Sequence, residues 1–247
     1  MCERTWHGSE HYFLSSNCMK QILRSSLVRH SDNSDSDHGI AQLDVTFSLA
    51  QGYYVSVFGM ESRDIRYRCS GKHVLAPVAI MVSTHHNGRA MRYFGEFLDE
   101  VIDDKSLRLR SLTCDGESSF NQFLKAEFCS EAKRIDCSLH IKENMLQGGL
   151  TRKEAAQAMQ ALFGSIDEYG LLCGGALNKS EEEDIRKSLD DATITDKAFD
   201  WVMERLPRLI CRLGMSARID AGLGISIPTS NRIENVNSQL KSFRERR

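Results

Sequence analysis

Residues 42–60, QLDVTFSLAQGYYVSVFGM, restrict the fold more than any other stretch of the chain. Leu43, Val45, Phe47 and Leu49 alternate with Asp44, Thr46 and Ser48, the period of two that marks a half-buried strand. Gln51-Gly52 makes a turn. The aromatic and β-branched run Tyr53 to Gly59 follows, so the pair is predicted as a hairpin. A third strand over Val74 to Ser83 is more continuously apolar, and its Pro77, lacking an amide to donate, needs an edge or a bulge. Arg89 to Ile102 has helical spacing, with Met91, Phe94, Leu98 and Val101 as the inward stripe.

The next stretch, residues 111–145, reads SLTCDGESSFNQFLKAEFCSEAKRIDCSLHIKENM. Leu107 to Cys114 is predicted as a strand that stops at the Asp115-Gly116 turn. An amphipathic helix through Phe120, Phe123, Leu124 and Phe128 is expected next. A short strand over Arg134 to Cys137 then leads to Cys137-x-x-His140 at the head of another helix. Three strands, a helix, a strand, a helix and a strand predict an α/β fold, a mixed sheet flanked by helices. Asp115, at the C-terminal end of a strand, stands where open sheets hold their ligands. Asp44 lies inside a strand, where Asp is depleted.

From residue 146 to 228 the pattern turns all-helical and reads as an insertion. Thr151/Glu154 and Ser180/Glu183 both fit capping boxes, and Ala155, Ala158, Met159, Leu162 and Phe163 share one face. Phe199, Val202, Met203 and Leu206 form another stripe before Pro207, which is expected to end or kink that helix. Residues 229–247 are predicted to return to the first domain as one helix, capped by Thr229 or Ser230 and buried along Ile233, Val236, Leu240 and Phe243. Residues 1–40 read as a poorly organised leader ending in the polar linker SDNSDSDHG, and 41–145 as the first part of the core. Within the leader, Cys2, His7, His11 and Cys18 match no zinc-finger spacing.

At 247 residues, 41% hydrophobic and 27% charged, the chain can bury a full core, and no apolar run approaches membrane-spanning length. Eight scattered cysteines without paired spacing favour free thiols. The net charge of −2 is unevenly spread: residues 201–247 carry nine basic and four acidic residues, while 151–200 carry six and eleven. A basic tail on an acidic neighbour is compatible with nucleic-acid binding.

Taken together, D-x-T-F at Asp44, the strand ending in Asp115-Gly116, Cys137-x-x-His140, and the stretch PTSNRIENVNSQLK around Glu234 resemble the transposase domain of the Mutator-like element (MULE) family. That family is a branch of the RNase H-like DDE enzymes, and the resemblance covers about residues 40–245. It implies an RNase H-like fold with a helical insertion before the last catalytic helix. It also implies a metal-dependent transposase that cleaves DNA and transfers strands. In this reading Asp44, Asp115 and Glu234 are the catalytic metal ligands, for two Mg²⁺ or Mn²⁺ ions. Such hard cations favour carboxylate oxygens, and in-line displacement at phosphorus builds charge on two oxygens that two metals can stabilise. The resemblance further implies DNA, as transposon ends and target, for a partner, and hence a nuclear location, with a cytoplasmic one as the alternative; a homo-oligomer stays open.

Each residue has a plainer alternative. Asp44 fits a solvent-facing strand position, Asp115 a turn, and Glu234 the exposed first turn of a helix. Cys137 and His140 supply two ligands where structural zinc takes four, and Cys173 and Cys211 have no spacing that completes a site, so zinc is not expected. The pair is either a structural or DNA-contact motif, as the resemblance implies, or ordinary packing. The tail residues Arg232, Lys241, Arg244, Arg246 and Arg247 are candidates for phosphate contacts. His85-His86 read as a solvated loop. Two other functions stay open: a catalytically silent, transposon-derived DNA-binding protein, which short flanks would suit, and an RNase H-like nuclease without transposition.

Overall fold

A computed structural model describes residues 11–29, 39–50, 52–69, 71–164, 170–173, 189, 194–224, 227, 233 and 236–238, apart from the side chains of residues 48–50 and 63. The chain divides into two compact units, residues 1–134 with 230–247, and residues 135–229.

The first unit is built on the predicted hairpin. Strands β1 (His11–Leu14), β3 (Ile40–Ala50), β4 (Tyr53–Arg66), β5 (His73–Ser83), β7 (Ser111–Cys114) and β8 (Lys133–Asp136), the last of which crosses the boundary between the units, form a sheet in the order β1-β5-β4-β3-β7-β8. β3, β4 and β5 are antiparallel neighbours, whereas β7 runs parallel to β3 with Leu43 opposite Cys114. The sheet is therefore mixed and flanked by helices, as the order of elements predicted. Pro77 sits where the β4–β5 register slips between Phe58 and Gly59, and β1 pairs only from Ile80 onward, so no ladder bond needs the missing amide.

One face of the sheet holds the main core. Helix α2 (Gly88–Ile102) buries Met91, Phe94, Leu98 and Val101 there, the full predicted stripe, against Leu43, Phe58 and Met81. The residues before 40 differ from the expected leader. β1 and helix α1 (Asn17–Ser26) place Phe13, Leu23 and Leu27 in the same core. Arg24 of α1 donates through Nε to Ile102 O and through Nη2 to Val101 O, both at 3.0 Å, satisfying carbonyls at the C-terminus of α2.

Two sequence expectations break in the middle of the unit. Leu107 to Cys114 is two strands: β6 (Leu107–Arg108) pairs with β2 (Val28–Arg29), and β7 pairs with β3. The chain changes partner because the amides of Arg110 and Ser111 both donate to Gly39 O. Gly39 has φ +76°, and a Cβ there would lie 2.9 Å from Val28 Cγ2, so only glycine fits. The amphipathic helix expected next is a single turn, α3 (Phe120–Phe123), followed by a 3-10 turn at Glu127–Cys129. The Asp99 carboxylate accepts from the amides of Glu127 at 2.8 Å and Phe128 at 2.9 Å, starting a new cap where the helix would have continued. Phe120, Phe123 and Phe128 are buried all the same.

The second unit has its own core. Helices α4 (Ser138–Gln147), α5 (Arg152–Phe163), α6 (Asp196–Leu213) and α7 (Met215–Asp220) surround Met145, Leu162, Val202 and Leu206. The Thr151/Glu154 capping box is present, with Glu154 N donating to Thr151 Oγ1 and Thr151 N donating to Glu154 Oε2. Ser180/Glu183 lies outside the described residues. Pro207 neither ends α6 nor divides it into two helices. The proline is exposed while Trp201, Val202, Leu206, Leu209 and Leu213 keep one continuous buried stripe, which offsets the lost backbone bond.

Candidate active site

β3 carries Asp44 at its middle and β7 leads into Asp115. Because Leu43 is the partner of Cys114 in a parallel ladder, Asp44 and Asp115 are the next residues on two adjacent strands. Neighbouring strands lie about 4.8 Å apart, so the two backbones come together at the C-terminal end of the parallel pair. Alternation places Gln42, Asp44 and Thr113 on the face opposite the main core, and Asp115 is the next residue of that series.

That face is covered, which the alternation pattern did not reveal. Gln42, Asp44 and Thr46 are all buried, with Asp44 only 8% exposed. The cover is the C-terminal segment. Ile233 is wholly buried in a small cluster with Val55, Val57 and Leu75, and Val236 packs against it. Ile233 N donates to Gln42 Oε1 at 3.3 Å, and Asn237 Nδ2 donates to Asp44 Oδ2 at 2.6 Å. Gly59 makes this approach possible, since a Cβ on it would lie 2.9 Å from Ile233 Cδ1. Asp44 is thus no solvent-facing strand residue. Its carboxylate is held by a charge-assisted hydrogen bond from a residue 193 positions away.

Arg134 fixes the turn on the other strand. Its Nη2 donates to Asp115 O at 2.8 Å and to Glu117 O at 2.7 Å, and its Nη1 bonds Asn121 Oδ1. His86 belongs to the same end of the sheet instead of a solvated loop. Its Nε2 lies 2.6 Å from Glu117 Oε2, and its ring is 5.6 Å from that of Tyr54 and 5.9 Å from that of Phe120. His85 is exposed.

The remaining candidates fall in two groups. Glu234, Arg232, Lys241, Arg244, Arg246 and Arg247 lie outside the described residues. Cys137 and His140 open α4 in the second unit, where Cys137 is fully buried and His140 partly so. Among the described residues no three His, Cys, Asp or Glu side chains are grouped as a metal ion requires. Cys173 is buried, with its thiol 3.5 Å from Phe163 O, whereas Cys211 is exposed.

A charged cluster in the second unit escaped the sequence reading. Asp136, 1% exposed, accepts from Arg208 Nε at 2.9 Å, Arg208 Nη2 at 2.6 Å and Arg212 Nη1 at 3.1 Å. Two guanidinium groups neutralise one buried carboxylate, which would be costly alone. The partners are 72 and 76 positions away, and no local pattern marks them.

Asn237 Oδ1 is a buried amide oxygen with no hydrogen-bond partner among the described residues. A buried acceptor of this kind is costly unless something binds it. Comparison of the whole chain with protein-family models gives no match, and comparison with curated proteins gives none. No helix among the described residues is long and apolar enough to cross a membrane.

Proposed function

We propose that this chain is a MULE-like transposase core that cleaves DNA and transfers strands with Mg²⁺ or Mn²⁺. The observation that carries the reading is the Asp44–Asn237 hydrogen bond beside Asp115. It ties the C-terminal segment to Asp44, the first carboxylate of the proposed set. Glu234 lies three residues before Asn237 in the same sequence motif. The sheet supports the reading further. Without the edge strand β1, the order β5-β4-β3-β7-β8, with β3 central, is consistent with an RNase H-like fold.

In this proposal Asp44, Asp115 and Glu234 hold the cations, with Asn237 Oδ1 as an additional oxygen donor. Divalent cations there would lower the pKa of an attacking water or hydroxyl and offset charge on the attacking and leaving oxygens. The protein's own part is positional. Asn237 fixes one oxygen of Asp44, and Arg134 holds the Asp115 turn through the backbone carbonyls of Asp115 and Glu117. Burial beneath Ile233 and Val236 keeps bulk water from Asp44 and strengthens the electrostatics there.

The test is incubation of the purified protein with labelled DNA and Mg²⁺ or Mn²⁺, scored for nicking and strand joining. Nicking and joining, both abolished in Asp44→Asn, are expected. Mn²⁺ should also raise the thermal midpoint of the wild type and not of Asp44→Asn, because a ligand selective for the native state stabilises it. Nicking without joining would make the chain a nuclease. No cleavage and no Mn²⁺ response would remove the enzyme reading.

A further inference from the structure

The β4–β5 hairpin does not end where the sheet ends. β3 pairs with β4 only as far as Met60, and β1 pairs with β5 only from Ile80. Beyond those positions no other strand pairs with β4 or β5 among the described residues; α1 packs against both, and the two form a ribbon whose residues 64–69, 71 and 72 are exposed. The ribbon closes through Arg66 opposite His73, Tyr67 N donating to Lys72 O at 2.8 Å, and Gly71 N donating to Tyr67 O at 2.9 Å. Between Glu61 and Arg66 the register slips, and Ser62 Oγ accepts from Ile65 N at 3.2 Å, so β4 bulges there.

Its composition is unlike the rest of the protein. Residues 61–73 carry four basic side chains and two acidic, +2 in a chain whose total is −2. Arg66, Arg68 and Lys72 are exposed, and Tyr67 and Ile65 are 50% and 46% exposed. Nothing in a fold requires two large apolar residues and three cations at the tip of a ribbon. An edge kept free of self-association would need the charges alone.

We infer that this ribbon is a nucleic-acid contact, set against the phosphates of a DNA duplex and independent of base sequence. A two-stranded ribbon fits the major groove, which is about 12 Å wide. Arginine binds phosphate through a planar fork, and a tyrosine among cations adds a ring that lies on sugar or base. Val57, opposite Asp44, is ten residues from Tyr67, so an extended strand would put the tip roughly 30 Å from the carboxylates, about nine base pairs along a duplex. The inference shares with the proposed function its polyanionic partner, and does not depend on the carboxylates.

The experiment is anisotropy of a fluorescein-labelled duplex of arbitrary sequence, titrated with the 247-residue protein across a salt series without metal. Arg66→Ala/Arg68→Ala/Lys72→Ala together should weaken binding to every duplex and flatten the slope of log affinity against log salt by about 2.7, at about 0.9 per phosphate contact. Tyr67→Ala should weaken binding and leave the slope unchanged. If the triple variant does not fold, Arg68→Ala alone should flatten the slope by about 0.9. The titration contains no metal and scores no cleavage, so a failure of the catalytic proposal shows in the cleavage assay and a failure of this one in binding. Unchanged affinity and slope in the ribbon variants overturn the inference. So does a loss confined to phosphatidylserine vesicles with duplex binding intact.

Discussion

Replacing Gly59 by alanine should loosen the C-terminal segment from the sheet. A Cβ at residue 59 would lie 2.9 Å from Ile233 Cδ1, and 3.2 and 3.3 Å from Leu75 Cγ and Cδ2. Carbon atoms prefer roughly 3.5–4.0 Å, so the shortfall against Ile233 is at least about 0.6 Å. Leu75 closes one side and Ile233 is fully buried, so the methyl cannot simply swing away. Overpacking of this kind costs about 1–3 kcal/mol. The cheapest relief is to lift Ile233, because its cluster with Val55, Val57 and Leu75 is small and separate from the main core. Lifting it also breaks the bonds from Ile233 N to Gln42 and from Asn237 to Asp44. Ile233→Val removes the clashing Cδ1 and by itself should cost about 0.5–1.5 kcal/mol. Additivity would therefore make the double variant the worse of all. The structure requires the reverse, a favourable coupling of about 1 kcal/mol or more, with the double variant close to Ile233→Val alone. Denaturant titrations of the four proteins give the coupling, and cleavage assays show whether Asp44 recovers with it. Strict additivity would refute the packing argument, and an undamaged Gly59→Ala would refute it outright.

Two further expectations rest on the same unit and its neighbour. Burial foremost, then the charges of His85 and Arg89, hold the His11 imidazole below its ordinary pKa of 6.5. Above pH 6.5 folded and unfolded His11 are both neutral, so its contribution is intact there. As pH falls below 6.5 the unfolded state takes up the proton first and stability declines, a trend that His11→Gln should flatten in denaturant titrations run from about pH 7 to 5. In the second unit, Cys137→Ser should lower stability by about 1–3 kcal/mol, because a hydroxyl replaces a fully buried thiol. Elemental analysis should find no stoichiometric zinc in the wild type; one zinc per chain, lost on that substitution, would overturn this.

What the sequence disclosed was local. Alternation in residues 42–49 fixed a strand, the 89–102 periodicity fixed α2, Asp115-Gly116 fixed where β7 stops, and Thr151/Glu154 fixed the start of α5. Each is a pattern of a few residues whose physical cause lies within the same element. Failures arose where a distant group competed with a local preference. Asp99 seized the amides of Glu127 and Phe128 and cut the expected helix to one turn, Gly39 O divided a strand, and a buried stripe carried α6 through Pro207.

The site shows the same division more sharply. Alternation correctly separated Asp44 from Leu43 and Val45, but it reports only which side a residue takes, not what lies on that side. The sequence therefore left a solvent-facing Asp44 open, whereas the C-terminal segment covers that face and Asn237 reaches its carboxylate. Asn237 was visible three residues past Glu234, yet nothing local distinguishes an asparagine that holds a carboxylate from one that faces water. The signal that could have found it is Gly59. A glycine inside an aromatic and β-branched strand marks a place where another element must come close, and the element that comes close here is the one that carries the last motif.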